Sequence, residues 1–149
     1  MQVSRSKERI NAAGDSGLGI LSGKKIAALG LAYKPDVDDL RESPAAEIVH
    51  LLQNEGAQVK AWEPFKPDAR MNGIHMATDL NDAVQDAEMV LLLVKHTEFA
   101  KLNPYEIASK TRARVAIDTV NAWNVDEWQK AGFQLLRLGV NKTPTVNLV

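Results

Sequence analysis

From Lys24 onward, this chain of 149 residues alternates short apolar segments with amphipathic segments of helical period. Residues 89–94 form a continuous apolar run, which is typical of a strand buried on both faces of a parallel sheet. In an earlier segment, four apolar residues recur at the spacing of one helix face: Ala45, Ile48, Val49 and Leu52. Strands that alternate with helices in this way predict an α/β fold.

The main predicted strands are residues 25–29, 58–62, 89–94, 114–118 and 133–138, and a short strand or turn is predicted near 75–77. The predicted helices follow Ser43, Asp79, His96, Asn103 and Asn124. Ser43 is a good N-cap, Pro44 suits the first helical position, and Gly56 suits the C-terminal stop. The fold prediction is a Rossmann-like open sheet of about five mainly parallel strands with helices on both faces.

Composition predicts one domain of ordinary globular type. Residues 1–22 are polar and rich in glycine and serine, so we interpret them as an N-terminal arm or linker. The domain is predicted over residues 23–142, and residues 143–149 are predicted as a C-terminal tail. A length of 149 residues is sufficient for a single core.

Charge and residue usage narrow the function classes. A net charge of −1 provides no global field for nucleic acid or an acidic membrane, so any anion site is expected to be local. The longest apolar run is too short to span a bilayer, and the N-terminus has no apolar core of the secretory type. The chain contains no cysteine, which excludes disulfides, thiolate metal sites and a cysteine nucleophile. We expect a cytoplasmic protein with no metal site.

One segment concentrates the signals for ligand binding. The first strand ends at Gly30, a polar loop with Lys34 and Arg41 follows, and Ser43 precedes a helix. Open α/β sheets bind ligands at the carboxyl ends of their strands, and helix N-termini attract phosphate. Since the loop has one glycine, it does not form the G-x-G-x-x-G turn of dinucleotide sites. The segment predicts a phosphate or nucleotide site that depends on side chains.

The same segment resembles a known family. The run GLAYKPDVDDLRESP resembles the signature that opens the C-terminal domain of the nucleotide-sugar dehydrogenases, which oxidise UDP-glucose, UDP-N-acetylmannosamine or GDP-mannose. The resemblance extends over residues 23–139, approximately. It implies a Rossmann-like domain that holds the nucleotide half of the sugar nucleotide.

The resemblance implies roles for two neighbouring residues. Lys34 matches a lysine that contacts the nucleotide-sugar, and Tyr33 stands where the family more often has a phenylalanine that lines the same pocket. Arg41 has two interpretations that the sequence leaves open. Its planar fork suits a phosphate, but the nearby acids, Asp38, Asp39 and Glu42, would also hold it in an ion network that orders the loop.

Asp118 ends the fourth main strand, where it would accept a ribose hydroxyl or cap the following turn. Val120 stands where the family often has arginine or lysine, so one substrate-facing charge is unaccounted for. Trp123 matches a tryptophan that is common in this turn in the branch that acts on UDP-N-acetylmannosamine, and the alternative is an ordinary half-buried aromatic residue of the loop. The run LVKHTEF also resembles the L-V-D-H-x-x-F run of that branch, with Lys95 in place of the acid. For His96 we favour a structural role over acid–base catalysis.

The resemblance implies an NAD-dependent UDP-sugar 6-dehydrogenase of polysaccharide biosynthesis, with UDP-N-acetylmannosamine as the leading substrate. The family's glycine-rich NAD domain and catalytic cysteine precede the matched region, and this chain contains neither. We therefore expect a UDP-sugar-binding domain with no catalytic residue, no cofactor of its own and no turnover alone. Its expected partners are UDP or a UDP-sugar, the missing NAD domain and a second copy in a homodimer, with no nucleic acid and no membrane. Two alternatives are a stand-alone nucleotide-binding regulatory module and a plain NAD-binding Rossmann domain.

Overall fold

The computed structural model describes residues 21–138, which form one parallel sheet flanked by helices. All strand pairs in the sheet are parallel, and the strand order is β3-β2-β1-β4-β5-β6. The strands are β1 (Lys25–Leu29), β2 (Gln58–Trp62), β3 (His75–Met76), β4 (Met89–Leu92), β5 (Val115–Asp118) and β6 (Gln134–Arg137). This architecture confirms the predicted α/β fold, and it includes the short strand near His75 as a sixth member.

The helices connect these strands. They are α1 (Pro44–Asn54), α2 (Leu80–Val84), α3 (Thr97–Ala100), α4 (Pro104–Lys110) and α5 (Val125–Lys130). The predicted cap of α1 is present, because Ser43 Oγ accepts a hydrogen bond from the Ala46 N–H at 3.0 Å. Asp79 caps α2 through the Asp82 N–H at 2.7 Å, so both helices begin where their capping residues predict.

The sheet separates two apolar layers. Alternate residues of β1 point to opposite sides, with Ile26 and Ala28 facing α1 and with Ala27 and Leu29 facing the layer that holds α2 to α5. All four residues of β4 are buried, as expected for a central parallel strand. The second layer contains a stacked pair, Trp123 and Trp128, with ring centroids 3.9 Å apart. Helices thus cover both faces, and the carboxyl edge of the sheet remains for a ligand.

Several element boundaries differ from the sequence prediction by one to three residues, including those of β5 and β6. Strand β4 ends at Leu92 rather than at residue 94, although the Leu93 N–H still donates to the Leu29 carbonyl at 2.9 Å. Beyond this bond the chain passes Gly30, where an added Cβ would lie 2.6 Å from Val94 Cβ. Helix α2 ends at Val84, before the predicted stripe residue Ala87. Residues 1–20 of the predicted arm and the whole predicted tail, 143–149, lie outside the described residues.

The strand order reverses direction at β1, and this reversal determines where a crevice for a ligand lies. Strands β2 and β3 lie on one side of β1, and β4 to β6 lie on the other. The connections that leave β1 and β4 therefore diverge at the carboxyl edge, which is the position where doubly wound sheets bind ligands. Within residues 21–138, no helix combines the length and the apolar character that crossing a membrane requires.

Candidate nucleotide site

The loop that follows β1, residues 31–42, lies beside the reversal point of the sheet. Gly30 lies directly before it and has a φ of 100°, which is unfavourable for residues with a side chain. Close packing against Val94 requires a glycine here as well. Farther along, the Tyr33 N–H donates to the Asp39 carbonyl at 2.7 Å, which closes the loop on itself. The single glycine of the motif therefore sets the path of the loop beside β4.

Glu63 lies directly after β2, is fully buried and anchors the start of this loop. Its Oε1 accepts hydrogen bonds from the Leu31 and Ala32 N–H groups, both at 2.9 Å. Its Oε2 accepts from the Phe65 N–H, also at 2.9 Å. Burial raises the pKa of Glu63, but hydrogen bonds from His96 and from the backbone outweigh it and hold the pKa below its usual value. Glu63 is therefore a buried carboxylate at neutral pH.

His96 is the second fully buried polar group of the site. Its Nε2 lies 2.9 Å from Glu63 Oε1, and its Nδ1 lies 2.8 Å from the backbone nitrogen of Asp36. Since a backbone N–H can only donate, Nδ1 accepts and the hydrogen-bond network assigns the ring proton to Nε2. The rings of Phe65 and Phe99 lie against the imidazole, with centroid distances of 4.8 and 5.5 Å. This arrangement supports the structural role that the sequence favours for His96.

Asp36 connects the loop to α3. Its carboxylate accepts from the Thr97 N–H at 2.8 Å and from the Thr97 hydroxyl at 2.6 Å. These hydrogen bonds hold the pKa of Asp36 below its usual value. The residue has a φ of 61°, a left-handed conformation that aspartate tolerates better than most residues. The loop is therefore attached to β2 at its start and to α3 at Asp36.

Between these attachments, Tyr33 and Lys34 face solvent. The Tyr33 residue is 56% exposed. Lys34 is exposed too, and within residues 21–138 it makes no hydrogen bond or ion pair. The sequence predicted that both residues contact a ligand. In the structure they lie next to each other in the loop beside the reversal point.

Arg41 forms a bidentate pair with a neighbouring carboxylate. Its Nε and Nη2 donate to Asp39 Oδ1 and Oδ2, each at 3.0 Å. The guanidinium hydrogen bonds lower the pKa of Asp39 to about 2, so the pair is ionised at neutral pH. The Arg41 side chain is nevertheless 88% exposed. The ion pair matches the loop-ordering interpretation, and the phosphate contact stays a prediction.

Asp118 lies at the end of β5 and is fully buried. Its carboxylate accepts from the N–H groups of Val120, Ala122 and Trp123, at 2.9, 2.7 and 2.8 Å. These bonds form the turn cap that was one of the two alternatives for this residue. The predicted contact with a ribose hydroxyl stays a prediction.

Lys95 is a cation at this edge that the sequence analysis did not propose as a ligand contact. It is exposed directly after Val94, and its Nζ lies 3.4 Å from the carbonyl oxygen of Asn121. That carbonyl adjoins Val120, the position where the resemblance leaves a charge unaccounted for. Lys34 and Lys95 follow β1 and β4, the two strands that flank the reversal point. Each lysine follows an apolar strand in the sequence. This position, combined with the order of the strands in the sheet, would have identified the two lysines as a pair.

The buried Glu63–His96 pair was also absent from the predicted site residues. Each residue follows an apolar strand, and parallel strands bring such residues to one edge. In dinucleotide-binding folds an acid after the second strand binds a ribose hydroxyl. Here Glu63 is turned inward and bonded to the protein, so it presents no free acceptor to a ribose.

In the part of the chain that the structure describes, no cluster of three histidine or acidic residues is suited to a metal ion.

Six parallel strands in this order, with cationic loops at the reversal point, define a Rossmann-like domain of the nucleotide-binding class. Residues 27–125 match the sequence profile described as "UDP-glucose/GDP-mannose dehydrogenase family, UDP binding domain". The chain belongs to this family, and the part of the family that the chain matches is the UDP-binding domain. The predicted family is thereby confirmed.

Curated relatives agree with this assignment. The chain is 36% identical over 121 residues to the UDP-N-acetyl-D-mannosamine dehydrogenase of Methanocaldococcus jannaschii, covering 79% of this chain and 27% of the relative. It is 35% identical over 124 residues to the UDP-glucose 6-dehydrogenase of Rhizobium meliloti, covering 81% of this chain and 28% of the relative. The chain thus spans little more than a quarter of the length of these enzymes.

Solved structures show the same relationship. The NDP-N-acetyl-D-galactosaminuronic acid dehydrogenase of Methanosarcina mazei superposes with a TM-score of 0.78 at 25% identity, over 89% of this chain and 28% of that one. The UDP-N-acetyl-mannosamine dehydrogenase Cap5O of Staphylococcus aureus superposes with a TM-score of 0.69 at 29% identity, over 91% and 29%. Both matches are to sugar-nucleotide dehydrogenases and cover nearly the whole chain.

Proposed function

We propose that this chain binds UDP or a UDP-sugar at the carboxyl edge of its sheet, as one domain of an NAD-dependent UDP-sugar 6-dehydrogenase. The observation that carries the proposal is Lys34, an exposed ammonium in the loop after β1 that makes no ion pair within residues 21–138. A cation held at the reversal point is suited to a phosphate group. The family match to a UDP-binding domain supports the same ligand.

Two lysines are suited to the diphosphate. Lys34 lies in the connection that follows β1, and Lys95 lies in the connection that follows β4. These two strands are direct neighbours in the sheet, with Leu29 paired to Leu92. A diphosphate in the crevice between the two connections would meet one ammonium from each side. Arg41 would add a third positive group through the guanidinium N–H groups that its pair with Asp39 leaves exposed.

The nucleoside would occupy the surface beside these cations. Tyr33 adjoins Lys34, and its exposed ring offers a stacking face and a hydroxyl for the ribose or the base. For Asp118, the proposed contact is a ribose hydroxyl, which would require the turn after β5 to shift, because the carboxylate is fully buried. Its carboxylate has two oxygens with about four acceptor positions, of which the turn occupies three.

The dehydrogenase reaction would need groups from outside this chain. We propose that the NAD domain and a nucleophilic cysteine belong to the rest of a longer cytoplasmic enzyme, with residues 23–142 as its UDP-sugar domain. The substrate that we propose is UDP-N-acetylmannosamine, supported by the similarity to the M. jannaschii enzyme and by the Trp123 turn. The chain alone would then show no turnover, and homodimer formation is part of the same proposal.

The experiment is a calorimetric titration of the purified chain with UDP, UDP-N-acetylmannosamine and NAD⁺, using wild type, Lys34→Ala and Lys110→Ala. Lys110 is an exposed lysine that ends α4, so it is a control with the same change in charge. Loss of one charge-assisted contact to phosphate is expected to weaken UDP binding about tenfold or more in Lys34→Ala. Lys110→Ala should bind like the wild type. NAD⁺ binding that is tighter than UDP binding would instead identify a plain dinucleotide-binding domain.

A further inference from the structure

We propose that Glu63 and His96 are positioning residues that hold the segment 31–36 and so present Tyr33 and Lys34 to the nucleotide. This inference rests on the proposed function and assigns part of the binding site to two residues that no ligand would touch directly. Both side chains are fully buried, one after β2 and the other after β4. They connect the neighbours of β1 on both sides to the loop that leaves it.

The hydrogen bonds bracket the two exposed residues. Glu63 holds the Leu31 and Ala32 N–H groups on one side of the pair. His96 Nδ1 holds the Asp36 N–H on the other side at 2.8 Å. Since the 2.9 Å contact between His96 and Glu63 joins the two anchors, the segment that carries Tyr33 and Lys34 is fixed at both ends to one rigid unit.

Because Glu63 and His96 are buried, their hydrogen bonds with the loop allow only one geometry. A buried carboxylate is costly unless hydrogen bonds satisfy it, and Glu63 has four donors, three from the backbone and one from His96. Any displacement of the loop would leave a buried acceptor or a backbone donor unsatisfied. The loop is therefore confined to one conformation before a ligand arrives, which lowers the ordering cost of binding.

The two ring nitrogens of His96 have separate roles, and substitution can separate them. In His96→Asn the amide oxygen branches from Cγ as Nδ1 does, so the variant retains an acceptor for the Asp36 N–H and loses the donor to Glu63. In His96→Gln the longer side chain places an amide nitrogen near the position of Nε2, so it retains the donor to Glu63 and loses the acceptor. A role limited to filling the core would not distinguish these variants by which loop amide they release.

The test combines amide hydrogen exchange, followed residue by residue by NMR, with calorimetric titration of UDP in wild type, His96→Asn, His96→Gln and Glu63→Gln. In His96→Gln, loss of one hydrogen bond is expected to speed exchange at Asp36 about fivefold and to weaken UDP binding by a similar factor. His96→Asn should keep the protection at Asp36 and lie closer to wild type in UDP affinity. Glu63→Gln should release the Phe65 N–H, because the amide oxygen would take the Oε1 position with its three donors and the amide nitrogen would face Phe65. Circular dichroism establishes that each variant is folded.

Three results decide the inference. Unchanged exchange at Asp36 in a folded His96→Gln variant would overturn the anchoring, whatever the UDP titration gives. Faster exchange with unchanged UDP affinity would show that the anchoring does not serve the ligand, and would also overturn the proposal. A wild type that binds no UDP, while Asp36 stays protected and responds to His96→Gln, would refute the proposed function and leave only the anchoring itself established.

Discussion

Nε2 of His96 lies 2.9 Å from Oε1 of Glu63, and both side chains are fully buried at the carboxyl edge of the sheet. The residues are 33 positions apart in the chain, and each also bonds the backbone of the loop after β1. Charged and polar groups at this depth are stable only when their hydrogen bonds are complete. The pair therefore determines both local stability and the shape of the candidate site.

Glu63→Gln is expected to lower the free energy of unfolding at pH 7 by about 1–3 kcal/mol, because an amide would leave a buried backbone donor without an acceptor. The folded-state pKa of Glu63 is lowered from 4.5. Its contribution is therefore present above that pH and is lost as the pH falls through the folded-state pKa. Urea unfolding across the acid range should show the difference from wild type shrinking below pH 4.5.

Glu106→Gln is the control for this pH series, because Glu106 is exposed in the first turn of α4. Its difference from wild type should stay well below that of Glu63→Gln at pH 7, because an exposed carboxylate in the first turn of a helix contributes little to stability. A Glu63→Gln variant whose destabilisation persists unchanged in acid would contradict the assignment of Glu63 as a carboxylate in the folded protein.

Substitutions in the Arg41–Asp39 pair separate the two interpretations of Arg41. Arg41→Ala is expected to leave the melting temperature nearly unchanged, since exposed ion pairs contribute little to stability, but to weaken UDP binding. Asp39→Asn should strengthen UDP binding, because it releases the guanidinium for phosphate. Calorimetry and thermal unfolding measure both quantities. Equal UDP affinity in all three proteins would assign Arg41 to loop ordering alone.

Lys95→Ala is expected to weaken UDP binding by about three- to tenfold, less than Lys34→Ala, because its ammonium is already shared with the Asn121 carbonyl. The two effects should add in free energy if both lysines contact phosphate independently. Titration of the single and double variants at two salt concentrations tests this. A Lys95→Ala variant that binds UDP as tightly as Lys110→Ala would remove Lys95 from the site.

Gly30→Ala is expected to destabilise the domain strongly. An alanine at a φ of 100° is strained by about 1–2 kcal/mol, and its Cβ would lie 2.6 Å from Val94 Cβ, which adds an overpacking cost of about 1–3 kcal/mol. Gly23→Ala is the matched control, because Gly23 has a φ of 79° but no atom of residues 21–138 lies within 4 Å of an added Cβ. Chemical denaturation of both variants separates strain from close contact. Equal losses would show that the approach to Val94 relaxes freely.

The fold was largely predictable because its signals are local. The apolar run at 89–94 and the one-sided stripe of α1 each specify an element without reference to the rest of the chain. The two-residue strand β3 shows the limit of this method. It is too short for a periodic pattern, and its pairing with β2 is what makes it a strand.

The candidate site was predictable in part for the same reason. Lys34 follows a strand and precedes a capped helix, so its position could be inferred from the local pattern. The pairing of Glu63 with His96 depends on parallel registration of β2, β1 and β4 over the whole sheet, which a single sequence does not encode locally. For Asp118, both alternatives used the same carboxylate, and only the backbone path of residues 119–123 shows that it caps the turn.

Lys34 and Arg41 would meet an arriving anion in different ways. Arg41 has free N–H groups, but the Asp39 carboxylate offsets its charge, so the strength of its contact with an anion depends on loosening an existing ion pair. Lys34 has no such contact to give up among the described residues, so its part in the encounter is limited by diffusion and by ionic screening. The rate of association should therefore depend on Lys34 and on salt, whereas the lifetime of the complex should depend on how far Arg41 leaves Asp39.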